Sequence, residues 1–167
     1  MRRAFIGLGS NMGSSFGEAG RTLELAAQHI GLFEGICSVR LSSLYESEPA
    51  YVENQPTFTN AVLEVRTTLS APELLQKLFA TENEFGRVRS IDKGPRTLDC
   101  DLLDYEGVVS DDLDLTLPHP GILERDFVVT PLLEIAPGHV LSNGIAVTRE
   151  NIAYGTVSSC ESSTLWE

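Results

Sequence analysis

The chain has 167 residues, 42% of them hydrophobic and 22% charged, a composition suited to one soluble domain with a buried core. Its 24 acidic and 12 basic residues give a formal charge of −12, a field that repels nucleic-acid backbones, so an anionic ligand needs a local basic cluster. No apolar run approaches the ~18 residues of a membrane span, Met1–Gly7 is too short for a secretory signal, and Cys37, Cys100 and Cys160 are too scattered for a disulfide framework or zinc cluster, which fits a reducing cytoplasm.

Residues 3–9 read as a short buried strand that ends in the turn signature Gly9-Ser10-Asn11, where Asn11 can brace neighbouring loops. Leu23, Leu25, Ala26, Ala27 and Ile30 follow at helical spacing, with Gly31 as the stop. A strand is expected from Ile36 to Tyr45, with Val39, Leu41 and Tyr45 on one parity, and then a turn-prone loop from Glu48-Pro49 to Gln55-Pro56. Residues 57–66 alternate: Thr59, Ala61, Leu63 and Val65 share one face, and Phe58, Asn60, Val62, Glu64 and Arg66 the other.

The best-marked helix begins at Ser70, where Glu73 completes a capping-box pattern and Pro72 lies in the first turn. Leu74, Leu75, Leu78, Phe79 and Phe85 form its apolar face, and Gly86 suits its exit. Residues 97–105 read as another strand, Asp111–Asp114 as a polar link, and about 128–136 as a last helix closed by Pro137-Gly138. The order is βαββαβ, an α+β fold with an antiparallel sheet, helices on one face and C-terminal additions. Residues 1–156 form a single domain, and the Ser-rich residues 157–167 are expected to be a disordered tail.

On a strand, Asp99 and Asp101 project to the same side, while Leu98, Cys100 and Leu102 point into the core. Two adjacent carboxylates repel, and Mg²⁺ characteristically joins such groups to substrate phosphates. The competing reading is a solvated acidic face, of which Asp104 and Glu106 are reminders. Arg87, Arg89, Lys93 and Arg96 place four of the twelve bases within ten residues just ahead of the aspartates. Such guanidinium groups absorb charge in phosphoryl transfer, and Ser90–Gly94 could carry them as a lid; alternatively this is a surface loop. Phe58 and Asn60 could stack on and read a flat heterocycle, or could form a second core face. His119, stiffened between Pro118 and Pro120, has either a phosphate- or ribose-binding role or a structural one. The spacing of Gly7, Gly9 and Gly13 fits neither the dinucleotide fingerprint nor a P-loop.

Six segments together resemble 6-hydroxymethyl-7,8-dihydropterin pyrophosphokinases: Ile6–Asn11, Asn54–Ala61, Gly86–Arg89, Gly94–Leu102, Leu117–Pro120 and Pro131–Pro137. The run Gly94-Pro95-Arg96-Thr97-Leu98-Asp99-Cys100-Asp101 is the most specific of them. The resemblance implies a ferredoxin-like fold and a magnesium-dependent diphosphokinase acting in folate biosynthesis, with ATP as donor, two Mg²⁺ ions and AMP as by-product. It implies that Asp99 and Asp101 hold both metals and that Arg87 and Arg96 are catalytic with them. Glu82, Arg89, Arg96, Leu102, Thr116, His119 and Arg125 match nucleotide-contacting positions. Phe58 and Phe127 would sandwich the pterin, and Asn60 would read its edge with groups near Ser47 and Ala50.

Partners are then small molecules only, with no nucleic acid and no membrane, for a cytoplasmic monomer. Four positions depart from the family pattern. Ser90–Lys93 lacks the family's lid tryptophan, Phe58 replaces a tyrosine, and Phe79 and Asp114 stand where a glutamine and a basic residue are frequent. The missing lid aromatic and Asp114 motivate an alternative, a non-catalytic pterin- or nucleotide-binding module of the same fold.

Overall fold

In the computed structural model, which describes residues 1–13, 17–48, 56–87 and 96–161, six strands build one antiparallel sheet. In chain order the elements are β1 (Arg2–Ser10), α1 (Ala19–Gly31), β2 (Ile36–Leu41), β3 (Leu44–Ser47), β4 (Phe58–Thr67), α2 (Ala71–Glu84) and β5 (Asp99–Tyr105). A short hairpin, β6 (Ser110–Asp112) and β7 (Leu115–Leu117), precedes a 3₁₀ turn at Ile122–Glu124, α3 (Asp126–Ile135) and β8 (Val157–Glu161). The sheet order is β5-β1-β4-β3-β8, with β2 also on β4. With β2 and β3 counted as one interrupted strand, β1–β5 and their two helices follow the expected βαββαβ order.

The expected single strand from Ile36 to Tyr45 is broken at Ser42-Ser43. Ser42 is fully buried; its N–H donates to the Val62 carbonyl, and its hydroxyl accepts the Val62 N–H, each at 2.9 Å. A side chain thus replaces a ladder bond, which satisfies β4 while the partner strand bends. Ser43 is then held from α3: the Glu134 carboxylate accepts its N–H and hydroxyl, and also the Tyr45 hydroxyl at 2.6 Å.

Both faces of the sheet are covered. Ala4, Ile6, Leu8, Ala61, Leu63 and Val65 pack under α1 and α2, where Leu23, Ile30, Leu74 and Leu78 are fully buried. Truncating one such leucine to alanine costs about 2–5 kcal/mol in cores of this kind. Alpha-2 starts as its sequence specifies, with the Ser70 hydroxyl accepting the Glu73 N–H at 3.3 Å and Gly86 in the left-handed region (φ +80°) just past its end. On the opposite face α3, from the C-terminal addition, covers Phe5, Val62 and Leu103 with Val129, Leu132 and Ile135.

A bulge in β5 aligns the two faces. Phe5 pairs with Asp104 but Ile6 pairs with Leu102, so Leu103 is the extra residue. Leu102 and Tyr105 therefore face α1 and α2, while Leu103 belongs to the α3 side.

The expectation of a disordered tail from residue 157 needs correction for its first part. Val157–Glu161 form β8, antiparallel to β3, and the Asp126 carboxylate accepts the Val157 N–H at 3.1 Å. Val-Ser-Ser-Cys-Glu has no hydrophobic period, so only the open edge of β3 and the α3 contact make it a strand. Residues 162–167 lie outside the described part.

Candidate active site

The site is built across the end of the sheet where β1 finishes and β4 and β5 begin. Gly9 is paired with Asn60 on one side and Asp99 on the other; Gly7 is paired with Val62 and Asp101. Directly paired residues share a face, so two aspartates, two glycines, Asn60 and Phe58 all present to the α3 side of the sheet. The glycines leave the floor between the carboxylates and Asn60 bare. A Cβ on Gly9 would stand 3.3 Å from Asn60 Oδ1, and one on Gly7 3.4 Å from Leu103. Gly7 lies within the expected strand, and Gly9 and Ser10, which open the expected turn signature, are also still within β1.

Asn11 ties together the three segments that feed this floor. Its side-chain oxygen accepts the Arg96 N–H at 2.9 Å, its amide donates to the Pro56 carbonyl at 3.1 Å, and its own N–H donates to the Arg96 carbonyl at 3.2 Å. Asn11 is buried, so the three bonds fix how β1, the entry to β4 and the entry to β5 sit together. The bracing role expected of Asn11 is thus visible in the structure.

The carboxylates sit in a charge network. The Arg87 guanidinium donates to Glu82 Oε2 at 2.5 Å and to Asp99 Oδ1 at 2.6 Å. Glu82, 2% exposed, also accepts the Cys100 N–H at 2.9 Å, so it anchors the start of β5 to α2. Glu82, which the resemblance matches to a nucleotide-contacting position, is tied in this structure to Arg87 and to the start of β5. Burial acts to lower the Arg87 pKa, but the Asp99 and Glu82 carboxylates outweigh it and hold the guanidinium above its ordinary value. Burial, then the charges of Asp99 and Glu82, push the Asp101 carboxyl well above the usual carboxylate range, while Arg125 and Arg96 pull the other way.

Among the described residues no group of three His, Cys, Asp or Glu side chains could hold a metal ion by itself. Two carboxylates on one face of β5 nevertheless fit a divalent cation that takes its other ligands from phosphate and water. Arg96 Nε and Thr97 Oγ1 are buried without a hydrogen-bond partner among the described residues, and both can donate to an oxygen-rich ligand.

Along β4, the Asn60 amide donates to the Ser47 hydroxyl at 2.8 Å, which fixes the side chain and leaves the plane of its carbonyl defined. Phe58 is paired with Ser47, and the Arg96 guanidinium lies 5.0 Å from its ring centroid. On the α3 side the Arg125 guanidinium lies 5.9 Å from the Phe127 ring. The His119 N–H donates to the Leu103 carbonyl at 2.7 Å, and its Nδ1 lies 2.7 Å from the Pro120 carbonyl. Burial, with help from Arg125, lowers the His119 pKa and favours the neutral ring, whose Nε2 accepts and becomes a donor only on protonation.

The remaining positions divide. The Thr116 hydroxyl donates to the Asp112 carbonyl at 3.0 Å within the β6–β7 hairpin. The Leu102 side chain is 4% exposed on the face away from the aspartates, so it offers the site nothing beyond backbone. Ala50 and Arg89, together with the Ser90–Gly94 lid, lie outside the described residues.

This constellation can be set beside known proteins. The family profile described as 7,8-dihydro-6-hydroxymethylpterin-pyrophosphokinase (HPPK) matches residues 5–137. The chain belongs to the HPPK family. It is 39% identical over 148 residues to the 2-amino-4-hydroxy-6-hydroxymethyldihydropteridine pyrophosphokinase of Haemophilus influenzae, covering 89% of this chain and 90% of that one. It is 40% identical over 134 residues to the folic acid synthesis protein fol1 of Schizosaccharomyces pombe. There the match covers 80% of this chain but spans only 18% of the relative. A crystal structure described as HPPK-DHPS in complex with substrates superimposes with a TM-score of 0.61, covering 92% of this chain and 42% of that one. At 11% identity that likeness speaks for the HPPK fold. The HPPK match spans every site element named so far.

Proposed function

We propose that the protein transfers the terminal diphosphate of ATP to 6-hydroxymethyl-7,8-dihydropterin, releasing AMP, as a step of folate biosynthesis. The observation that carries this reading is the pairing of Asp99 with Gly9 and of Asp101 with Gly7, two carboxylates beside a bare floor, with Arg87 tied to Asp99. Asp99 and Asp101 would hold two Mg²⁺ ions, which when bound neutralise phosphate charge and polarise the bonds to phosphorus. Arg96 and Arg125 would bind triphosphate oxygens, and Arg87 would take up charge on the leaving AMP once phosphate competes with Asp99 for its guanidinium. Arg89, Thr116 and His119 would add nucleotide contacts. Phe58 and Phe127 would hold the pterin flat, with Asn60, Ser47 and the backbone near Ala50 reading its edge.

The pterin hydroxyl oxygen bonds to the β-phosphorus as the bond from that phosphorus to the α,β-bridging oxygen breaks. The hydroxyl proton passes to solvent. Among the described residues no side chain is placed as a dedicated base, so positioning and charge stabilisation supply the rate. We read the protein as a monomer, and the free thiols of Cys37 and Cys100 support a cytoplasmic setting.

Chromatographic separation of AMP from ADP, with ATP, Mg²⁺ and hydroxymethyl-dihydropterin as reactants, tests the reaction. AMP and pterin diphosphate are expected in equal amounts. Asp99→Ala and Asp101→Ala should each lower kcat at least about 100-fold, the scale of losing one electrostatic element of a transition state, with a melting temperature close to wild type. ADP as product rejects diphosphate transfer; pterin binding without any AMP leaves a non-catalytic binding module. Near-normal turnover in either variant removes the metal assignment.

A further inference from the structure

The chain beyond residue 137, past the part that matches the HPPK profile, returns to the site. Residues 153–157 run alongside the first turn of α3. Arg125 and Tyr154 form a parallel bridge, and the Asp126 N–H donates to the Tyr154 carbonyl at 3.0 Å. The Ala153 and Tyr154 N–H groups both donate to the Glu124 carbonyl, at 2.8 and 3.2 Å. With the Val157–Asp126 bond at 3.1 Å, the segment is docked by backbone on both sides of Tyr154-Gly155.

Two contacts do more than dock it. The Arg125 Nε–H donates to the Tyr154 hydroxyl at 3.2 Å. This engages the guanidinium donor outside the terminal pair of NH₂ groups, so it fixes the plane of the fork. Gly155, in the left-handed region at φ +75°, lies against the Cδ1–Cε1 side of Phe127. A Cβ there would stand 2.4 Å from Cδ1 and 2.9 Å from Cε1. Any side chain would have to displace the ring as well as adopt a backbone conformation L-residues disfavour.

We infer that Tyr154 and Gly155 are positioning residues of the active site: Tyr154 orients the Arg125 guanidinium for the nucleotide, and Gly155 sets the tilt of the Phe127 ring for the pterin. The inference rests on the proposed diphosphate transfer. It makes the strap at 153–157 part of the site, with each of two neighbouring residues serving a different substrate.

Calorimetry on the full chain with Mg²⁺ and α,β-methylene-ATP, and separately with 6-hydroxymethylpterin, tests it through binding alone. Tyr154→Phe keeps the ring and every backbone bond. It should weaken the nucleotide analogue about 3- to 10-fold, the scale of one ordinary hydrogen bond acting through an orienting contact, and leave pterin affinity within twofold. Gly155→Ala should do the reverse, weakening pterin about tenfold with the analogue unchanged. In an Arg125→Lys background, which has no Nε–H, Tyr154→Phe should have no further effect. The inference is overturned if the two variants weaken both ligands together alongside a lowered melting temperature, or if they leave both affinities unchanged. AMP formation by the wild type is scored separately, so an inactive wild type with the split binding pattern rejects the proposed reaction and keeps the positioning roles.

Discussion

Removing the Glu82 carboxylate should loosen β5 from α2, and the size of the effect can be worked from its contacts. Glu82 is 2% exposed and makes two strong bonds, to Arg87 at 2.5 Å and from the Cys100 N–H at 2.9 Å. Deleting one partner of a buried ion pair costs about 3–5 kcal/mol when the other charge is left alone. Here Arg87 keeps Asp99 at 2.6 Å, so Glu82→Ala leaves no isolated charge. That part of the loss falls to about 1.5–3 kcal/mol, the net worth of a hydrogen bond to a charged group. The orphaned Cys100 N–H adds about 1–3 kcal/mol, which brings the total to about 2.5–6 kcal/mol. At about 2–4 °C per kcal/mol for a chain of this size, the melting temperature should drop by about 5–24 °C. Glu82→Gln keeps an oxygen for Cys100 and loses only the charge, so its drop should be less than half as large. Urea unfolding followed by circular dichroism measures both. A Glu82→Ala variant within 1 kcal/mol of wild type, or one no worse than Glu82→Gln, refutes the anchoring role.

Two further expectations concern the floor of the site and the α3 latch. Gly9→Ala puts a methyl 3.3 Å from Asn60 Oδ1, and should raise the pterin KM about tenfold, or ~1.4 kcal/mol, with kcat for bound substrate little changed. An unchanged KM would mean that the bare floor is not where the substrate lies. Burial and the Glu134 carboxylate raise the Tyr45 pKa above its ordinary 10.0, so the folded state holds the phenolic proton more tightly than the unfolded one. This contribution is fully present below pH 10 and is lost as pH rises beyond it; wild-type stability should therefore fall more steeply above pH 10 than that of Tyr45→Phe, as read from denaturation midpoints. Parallel pH profiles for the two proteins would contradict the Tyr45–Glu134 bond.

Local chemistry made much of this molecule legible. The Ser70 cap, the apolar faces of α1 and α2, and the alternation of residues 57–66 each depend on neighbours in the chain, and the structure repeats them. The placement of Asp99 and Asp101 on one side of a strand needed only the two-residue period. Harder to read were features created by distant partners. Ser42-Ser43 breaks a strand because Val62 and Glu134 accept the broken ends, and β8 exists because β3 has an open edge. The burial of Glu82 against Arg87 and Cys100 likewise has no signal in its own segment.

From the letters alone follow the family, the βαββαβ order and the concentration of arginine and aspartate between residues 87 and 101, since these are properties of spacing and residue type. Tertiary structure alone decided that Gly7 and Gly9 are the empty floor between β4 and β5, and that Tyr154 and Gly155 reach Arg125 and Phe127. The physical reason is that an absent side chain or a backbone strap gains meaning only from what packs beside it. That neighbour is set by sheet register and by the return of the chain, neither of which has a local signal.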